Sequence, residues 1–148
     1  MKAIRVEQQV IKHSHPMWKT IDENCFYSKN LYNLANYTIR QEFINNHKWI
    51  RYSKLDKMLQ KEEAYKQLKS QPSQCTLQVL DRNWKSYFDA IKDWTKDHSK
   101  YLGMPKLPRY KKKNGRFTWF IKNNCCYFDG EYLRFRVKRL QGYDFKTK

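Results

Sequence analysis

Residues 72–94, PSQCTLQVLDRNWKSYFDAIKDW, decide the fold class of this chain. Apolar side chains recur here every three or four residues, which predicts an amphipathic helix that Pro72-Ser73 opens and that ends near His98. Its expected buried stripe consists of Leu77, Leu80, Trp84, Phe88, Ile91 and Trp94.

Two further helices are predicted upstream. The same period from Trp18 to Asn45-Asn46 indicates a long helix, whose core-facing set is Trp18, Ile21, Cys25, Leu31, Tyr32, Ala35, Ile39, Phe43 and Ile44. A shorter pattern of Leu55, Met58 and Leu59 follows Ser53, and the charge of Asp56 suits a helix start there. Residues 64–68 either continue this helix or form a separate turn. We therefore predict a three-helix subdomain over residues 17–100.

The two ends of the chain have the alternation typical of strands. In residues 2–12, Ile4, Val6 and Val10 share one face. Residues 117–122, 125–128 and 131–138 also alternate, and the Asp129-Gly130 link predicts a type I′ hairpin turn.

The first strand has no local partner, so we expect it to pair with the C-terminal strands. The predicted fold class is α+β. A small β-barrel is formed by a first strand in residues 1–16 and the remaining strands in residues 117–148. The helical subdomain of residues 17–100 is inserted between them, and a basic, proline-containing linker occupies residues 101–116.

The charge balance indicates a polyanionic partner. The 148 residues include 31 Lys and Arg against 14 Asp and Glu, a formal net charge of +17. Nucleic acid is the leading candidate, and an anionic membrane surface is the alternative. The aromatic residues lie on the core-facing stripes, which argues against the membrane. There is neither an apolar run of bilayer-spanning length nor a signal-peptide core, so we expect a cytoplasmic protein.

The linker is the first candidate binding segment. Pro105 and Pro108 favour extended backbone, and Tyr110 offers a ring that can stack on a base or a sugar. We expect phosphate contacts from the linker cations Lys106, Arg109, Lys111, Lys112, Lys113 and Arg116. The alternative is a solvated connector.

A second candidate is the stretch LRFRVKR (133–139) at the end of the predicted strand 131–138. Arg134, Arg136 and Lys138 would share one face about 6.8 Å apart, similar to neighbouring phosphates, and Arg139 follows them. The alternative is an ordinary half-exposed strand.

Catalytic chemistry is not predicted. Asp89, Asp93 and Asp97 are spaced by four residues on the third helix, but lysines surround them, which indicates an exposed, salt-bridged face. We interpret the four histidines, His13, His15, His47 and His98, as surface residues. The cysteines, Cys25, Cys75, Cys125 and Cys126, form no C-x-x-C pair, and we expect free thiols. We therefore predict no metal, no cofactor and no enzymatic activity.

Four stretches, in this order, resemble the N-terminal region of TnpB-type proteins, the RNA-guided nucleases of bacterial insertion sequences. They are SKNLYN (28–33), LDRNWKSYF (80–88), GMPKLPRYKKK (103–113) and Asn123-Asn124. The resemblance covers nearly the whole chain, and its most specific part is the proline- and lysine-containing run after the aromatic helix.

The resemblance implies a β-barrel wedge domain with an inserted helical recognition (helix-turn-helix) domain. It implies that this region holds a structured guide RNA and reads a short motif in double-stranded DNA, contacted near Tyr52 and Gln74. Full-length relatives continue into a RuvC-like nuclease domain with three metal-binding acids and a four-cysteine zinc ribbon, which these 148 residues do not contain.

Three hypotheses stay open. The chain is a nucleic-acid-binding portion without catalysis, or the targeting half of a split nuclease that acts with a RuvC-type chain in trans, or a non-functional remnant. In the first two, the resemblance implies a cytoplasmic, nucleoid-associated protein.

Overall fold

The computed structural model describes residues 4–147, which contain four α-helices and one three-stranded antiparallel sheet. The predicted α+β class is confirmed. The chain divides into two compact units. The helical unit is Cys25–Phe120, and the sheet unit comprises the residues up to Asn24 and from Ile121 onward.

The helices are α1 (Trp18–Asn46), α2 (Tyr52–Leu59), α3 (Glu63–Leu68) and α4 (Ser70–Lys96). The helical unit has one apolar core, whose members include Leu31, Tyr32, Ala35, Ile39, Leu55, Leu77, Leu80 and Trp84. Most lie on the stripes predicted for α1 and α4, because a period of three to four residues places them on one helical face. Ile44 was placed on the stripe wrongly, since 57% of it is exposed.

Residues 64–68 neither continue α2 nor form only a turn. They lie in a separate short helix, α3, so the described residues contain four helices rather than three. A single residue, Lys69, links α3 to α4. Its φ of 75° lies in the left-handed region that favours glycine, so the α3–α4 corner holds local backbone strain.

The start of α2 differs from the prediction. The helix begins at Tyr52, whose backbone N–H donates to the Asp81 carboxylate on α4 at 3.0 Å. Asp81 also accepts two hydrogen bonds from Arg51, at 3.0 and 3.1 Å. Asp56 does not act at the helix start. It is buried and accepts hydrogen bonds from Tyr65 and Gln60, so a distant carboxylate takes the capping role.

The sheet is formed by β1 (Cys126–Asp129), β2 (Tyr132–Phe135) and β3 (Asp144–Lys146), in the order β1-β2-β3. The hairpin is where the sequence predicts it, but the turn is not type I′. Asp129 pairs with Tyr132, so Gly130-Glu131 is the link. Gly130 has a φ of 60° and Glu131 does not have a positive φ, a pattern typical of type II′.

The closed barrel is wrong, because the sheet is open. Residues 117–122, predicted as a strand, belong to no strand within the described part of the chain. The predicted strand 131–138 ends at Phe135, and the third strand is formed instead by Asp144–Lys146, which pair with Tyr132–Arg134.

The predicted first strand is also wrong over its described residues, 4–12, which have no regular secondary structure; residues 1–3 of this prediction lie outside the described part. The predicted inward face points outward, since Ile4, Val6 and Val10 are 93%, 92% and 79% exposed. The Gln9 side chain donates to the Lys146 carbonyl at 2.9 Å, so a side chain, rather than a backbone ladder, connects this segment to the sheet.

Candidate nucleic-acid interface

One face of α1 carries polar side chains that bind the backbone of the basic linker. Lys29, Asn33, Asn36 and Arg40 are spaced by four, three and four residues, so they lie on one helical face. Residues 105–118, here called the strap, run along this face. The apolar period of α1 did not indicate these contacts, but the polar spacing is visible in the sequence.

The centre of the strap is held by two asparagines. Asn33 forms a two-point contact with Lys111: its amide donates to the Lys111 carbonyl at 2.9 Å and its carbonyl accepts from the Lys111 N–H at 2.8 Å. Asn36 donates to the Pro108 carbonyl at 2.9 Å, and Arg40 donates to the same oxygen. Asn33 therefore engages both backbone groups of Lys111, as a neighbouring strand would.

The other end of the strap is held in the same way. Lys29 donates to the Lys113 carbonyl. Ser28 donates to the Thr118 carbonyl at 2.8 Å, and the Phe117 N–H donates to the Cys25 carbonyl at 3.1 Å. The strap thus runs antiparallel to α1, with its backbone toward the helix.

The packing of Phe117 and Trp119 explains the alternation of residues 117–122, from which a strand was predicted. Phe117 and Trp119 pack against the apolar core while Thr118 is exposed. Residues 117–119 do not form the predicted strand, and their backbone partner is a helix rather than a sheet.

Fixing the strap by its backbone leaves most of its cations in solvent. Five of the six predicted phosphate contacts are exposed: Lys106, Arg109, Lys112, Lys113 and Arg116. The sixth, Lys111, is half-buried, and its ammonium lies 4.9 Å from the Tyr32 ring centroid and 4.7 Å from that of Phe117. Lys111 therefore packs as part of the fold, so its replacement would also disturb packing.

Tyr110 is 44% exposed, and the Arg40 guanidinium covers its ring at 4.6 Å. Since the Arg40 guanidinium also donates a hydrogen bond to the Pro108 carbonyl, the Tyr110 ring is held in place while part of it stays open to solvent. The predicted stacking residue is thus positioned in advance of any ligand.

The strap region has a strongly positive local charge. Residues 101–120 contain no acidic side chain. Burial lowers the pKa of Lys29, which is 4% exposed, and the charges of Arg116 and Lys113 lower it further. An anion bound at the strap would relieve this repulsion between like charges.

The second predicted cation set lies in the sheet unit and does not form one strand face. Arg134 is on β2, but its guanidinium pairs with Asp129 at 2.8 Å and with Asp144 at 3.5 Å. Two acids thus neutralise a cation that was predicted to contact phosphate, because strand pairing brings them alongside it.

The remaining cations of this set follow the end of β2. Arg136 is exposed, with its guanidinium 5.4 Å from the Tyr127 ring centroid. Lys138 and Arg139 belong to a short 3-10 turn, Lys138–Leu140, and Arg139 donates to buried Asn24. Arg136 and Lys138 are exposed, so they are the cations of this set open to an anion.

The predicted DNA-motif residues flank a buried carboxylate. Tyr52 is on α2 and Gln74 is on α4. Gln74 lines a cavity of about 510 Å³ together with Lys66 and Lys69. Nearby, Asp56 accepts from the Tyr65 hydroxyl at 2.7 Å and from the Gln60 amide at 2.9 Å. The contact of Tyr52 and Gln74 with DNA stays a prediction.

Tyr65 predicts a pH dependence of stability. Burial, and then its hydrogen bond to Asp56, raise the pKa of Tyr65 well above its ordinary value of 10.0. Above pH 10.0, Tyr65 of the unfolded chain loses its proton, while Tyr65 of the folded chain keeps it. The free energy of unfolding should therefore fall from pH 10.0 toward the raised pKa. The slope from this group is at most about 1.4 kcal/mol per pH unit. Urea unfolding across this range should show a shallower alkaline decline in Tyr65→Phe, and equal declines would contradict the assignment.

Two of the three aspartates, Asp89 and Asp93, lie on α4 and form the salt-bridged face that was predicted, whereas Asp97 follows the end of the helix. Asp89 accepts from Lys85 at 2.7 Å, and this hydrogen bond lowers its pKa. Asp93 accepts from the Tyr101 hydroxyl at 3.0 Å and pairs with Lys100 at 3.3 Å, which lowers its pKa too. Asp97 accepts from the Ser99 N–H at 3.0 Å.

Residues 4–147 contain neither a metal-ligating cluster nor a membrane-spanning helix. No group of three His, Cys, Asp or Glu side chains there converges on a possible metal site. None of the four cysteines, which all lie in that range, forms a disulfide. Within the same range, no helix has the length and apolar character to cross a membrane.

Comparison with known proteins leaves the family open. The chain matches no protein-family model, and no curated protein is significantly similar to it.

Proposed function

We propose that this chain is a nucleic-acid-binding module that holds structured RNA on the strap. The observation that carries the proposal is the row of exposed cations on a backbone fixed to α1. Because Asn33 and Asn36 already order this segment, binding costs little further conformational entropy. Release of counterions from the phosphates then drives association.

The resemblance to TnpB-type proteins supports a more specific version of the proposal. Its most specific stretch, residues 103–113, is the stretch that carries most of the strap cations. In this version the chain holds the scaffold of a guide RNA, and the surface around Tyr52 and Gln74 reads a short motif in double-stranded DNA. The chain itself performs no catalysis in this proposal.

The split-nuclease hypothesis extends the same function. A RuvC-type chain would supply cleavage in trans, while this chain supplies targeting. A neighbouring reading frame with an aspartate-bearing strand and two C-x-x-C pairs would favour it. A non-functional remnant would bind no RNA.

The test of the proposed function is a salt titration of affinity for a structured RNA, measured by fluorescence anisotropy. If about six cations neutralise phosphates, log K should fall with log salt at a slope of roughly −4 to −5. About a fourfold rise in salt then weakens binding by about three orders of magnitude. Failure to bind at low salt, or a slope near zero, would overturn the proposal.

A further inference from the structure

A groove of about 420 Å³ lies between α4 and the strap in the helical unit. Asn83, Ser86 and Tyr87 line it from α4, and Lys106, Arg109 and Tyr110 line it from the strap. This volume lies in the range typical of small-molecule sites. The groove combines aromatic rings with cations, whereas an ordinary phosphate-contacting surface needs only the cations.

The two aromatic residues are held by their surroundings. The Tyr87 ring contacts Phe43, Trp84 and Phe88, with centroids 6.5, 5.9 and 5.2 Å away. The Tyr110 ring is covered by Arg40 at 4.6 Å. Rings fixed in this way lose little freedom when a flat ligand stacks on them.

The polar residues of the groove suit a base edge and its phosphate. Asn83 donates to the Tyr32 hydroxyl at 3.1 Å, which orients its amide. The side chain of Asn83 is exposed, and an amide has a carbonyl acceptor and a second N–H to offer. Lys106 and Arg109 are exposed on the strap side, at the same groove.

We infer that this groove receives one unpaired nucleobase of the bound RNA, stacked on Tyr110, with its phosphate at Lys106 or Arg109. The inference rests on the proposed function and adds a ligand class to it. A base inside a duplex exposes only its edges, so its face reaches an aromatic ring only after it leaves the stack. The groove therefore selects RNA with a bulged, looped or single-stranded nucleotide.

The experiment compares two strands of equal charge, a short oligouridine and an abasic ribose-phosphate strand of the same length. Tyr110→Leu should weaken oligouridine binding by about 5- to 150-fold, the range measured for one base–aromatic stack. It should leave abasic binding and both salt slopes unchanged. Tyr110→Phe keeps the ring and should behave as the unmodified chain. Tyr37→Leu is the matched control, since Tyr37 is 54% exposed in the same unit and does not line the groove.

Each outcome has one meaning. A loss confined to oligouridine and to Tyr110→Leu supports the groove. An equal loss on both strands, or no loss on either, overturns the groove and leaves phosphate binding by the strap intact. If the unmodified chain binds the structured RNA but neither single strand at low salt, the inference fails and the proposed function stands. If it binds no RNA at low salt, the proposed function fails along with the inference. Circular dichroism of each variant shows that folding is retained.

Discussion

Affinity for structured RNA should fall by about two to three orders of magnitude near physiological salt when four exposed strap cations are neutralised. The substitutions are Lys106→Gln, Arg109→Gln, Lys112→Gln and Lys113→Gln. Each lost phosphate contact removes about 0.7 to 0.9 units of salt slope, so the slope should flatten by about 3 units. Lys111 is left in place, because it packs on Tyr32 and Phe117.

The control removes the same charge elsewhere in the helical unit. Lys54, Lys57, Lys61 and Lys66 are exposed on or beside α2 and α3. Their replacement by glutamine lowers the net charge by the same amount and should change the slope much less. Matching losses in the two quadruple variants would show that charge acts diffusely and that the strap has no special part.

The second large effect is on stability. Trp84 is 0% exposed and donates its indole N–H to the Asn36 carbonyl at 3.0 Å. Trp84→Ala should lower the free energy of unfolding by about 3 to 5 kcal/mol, a large part of the 5 to 15 kcal/mol typical of a domain. Trp84→Phe keeps most of the packing and loses the hydrogen bond, so its effect should be smaller.

Trp94→Ala is the comparison, because Trp94 lies on the same helix but is only half-buried. Its cost should be about 1 kcal/mol or less. Urea unfolding followed by far-ultraviolet circular dichroism measures all three variants. A Trp84→Ala variant as stable as Trp94→Ala would contradict the burial of Trp84 in the core of the helical unit.

Asn36 links the strap, on which the expected RNA affinity depends, to Trp84, on which the stability of the core depends. It accepts from Trp84 in the core and donates to Pro108 on the strap. The core therefore orients the amide that positions the strap. Nothing in the apolar pattern of α1 indicates this role, since an asparagine on a helix is most often solvent-facing.

Local patterns predicted the parts of the fold that depend on near neighbours. The long helices α1 and α4 follow from apolar residues every three to four positions, and the β1-β2 hairpin follows from alternation around a glycine. Among the candidate site residues, the exposed strap cations were also predicted, because charge and proline content are properties of the segment itself.

Period, turn chemistry and charge act over a few residues, so the two long helices, the hairpin and the basic segment could be predicted from the sequence. What each segment packs against depends on residues far away in the chain and is visible in the folded structure alone. The strap has α1 as its partner rather than a sheet, Arg134 has two acids beside it, and Ile4, Val6 and Val10 face outward. Alternation specifies an extended backbone but not its partner, since a strand edge and a row of asparagine side chains satisfy the same N–H and carbonyl groups.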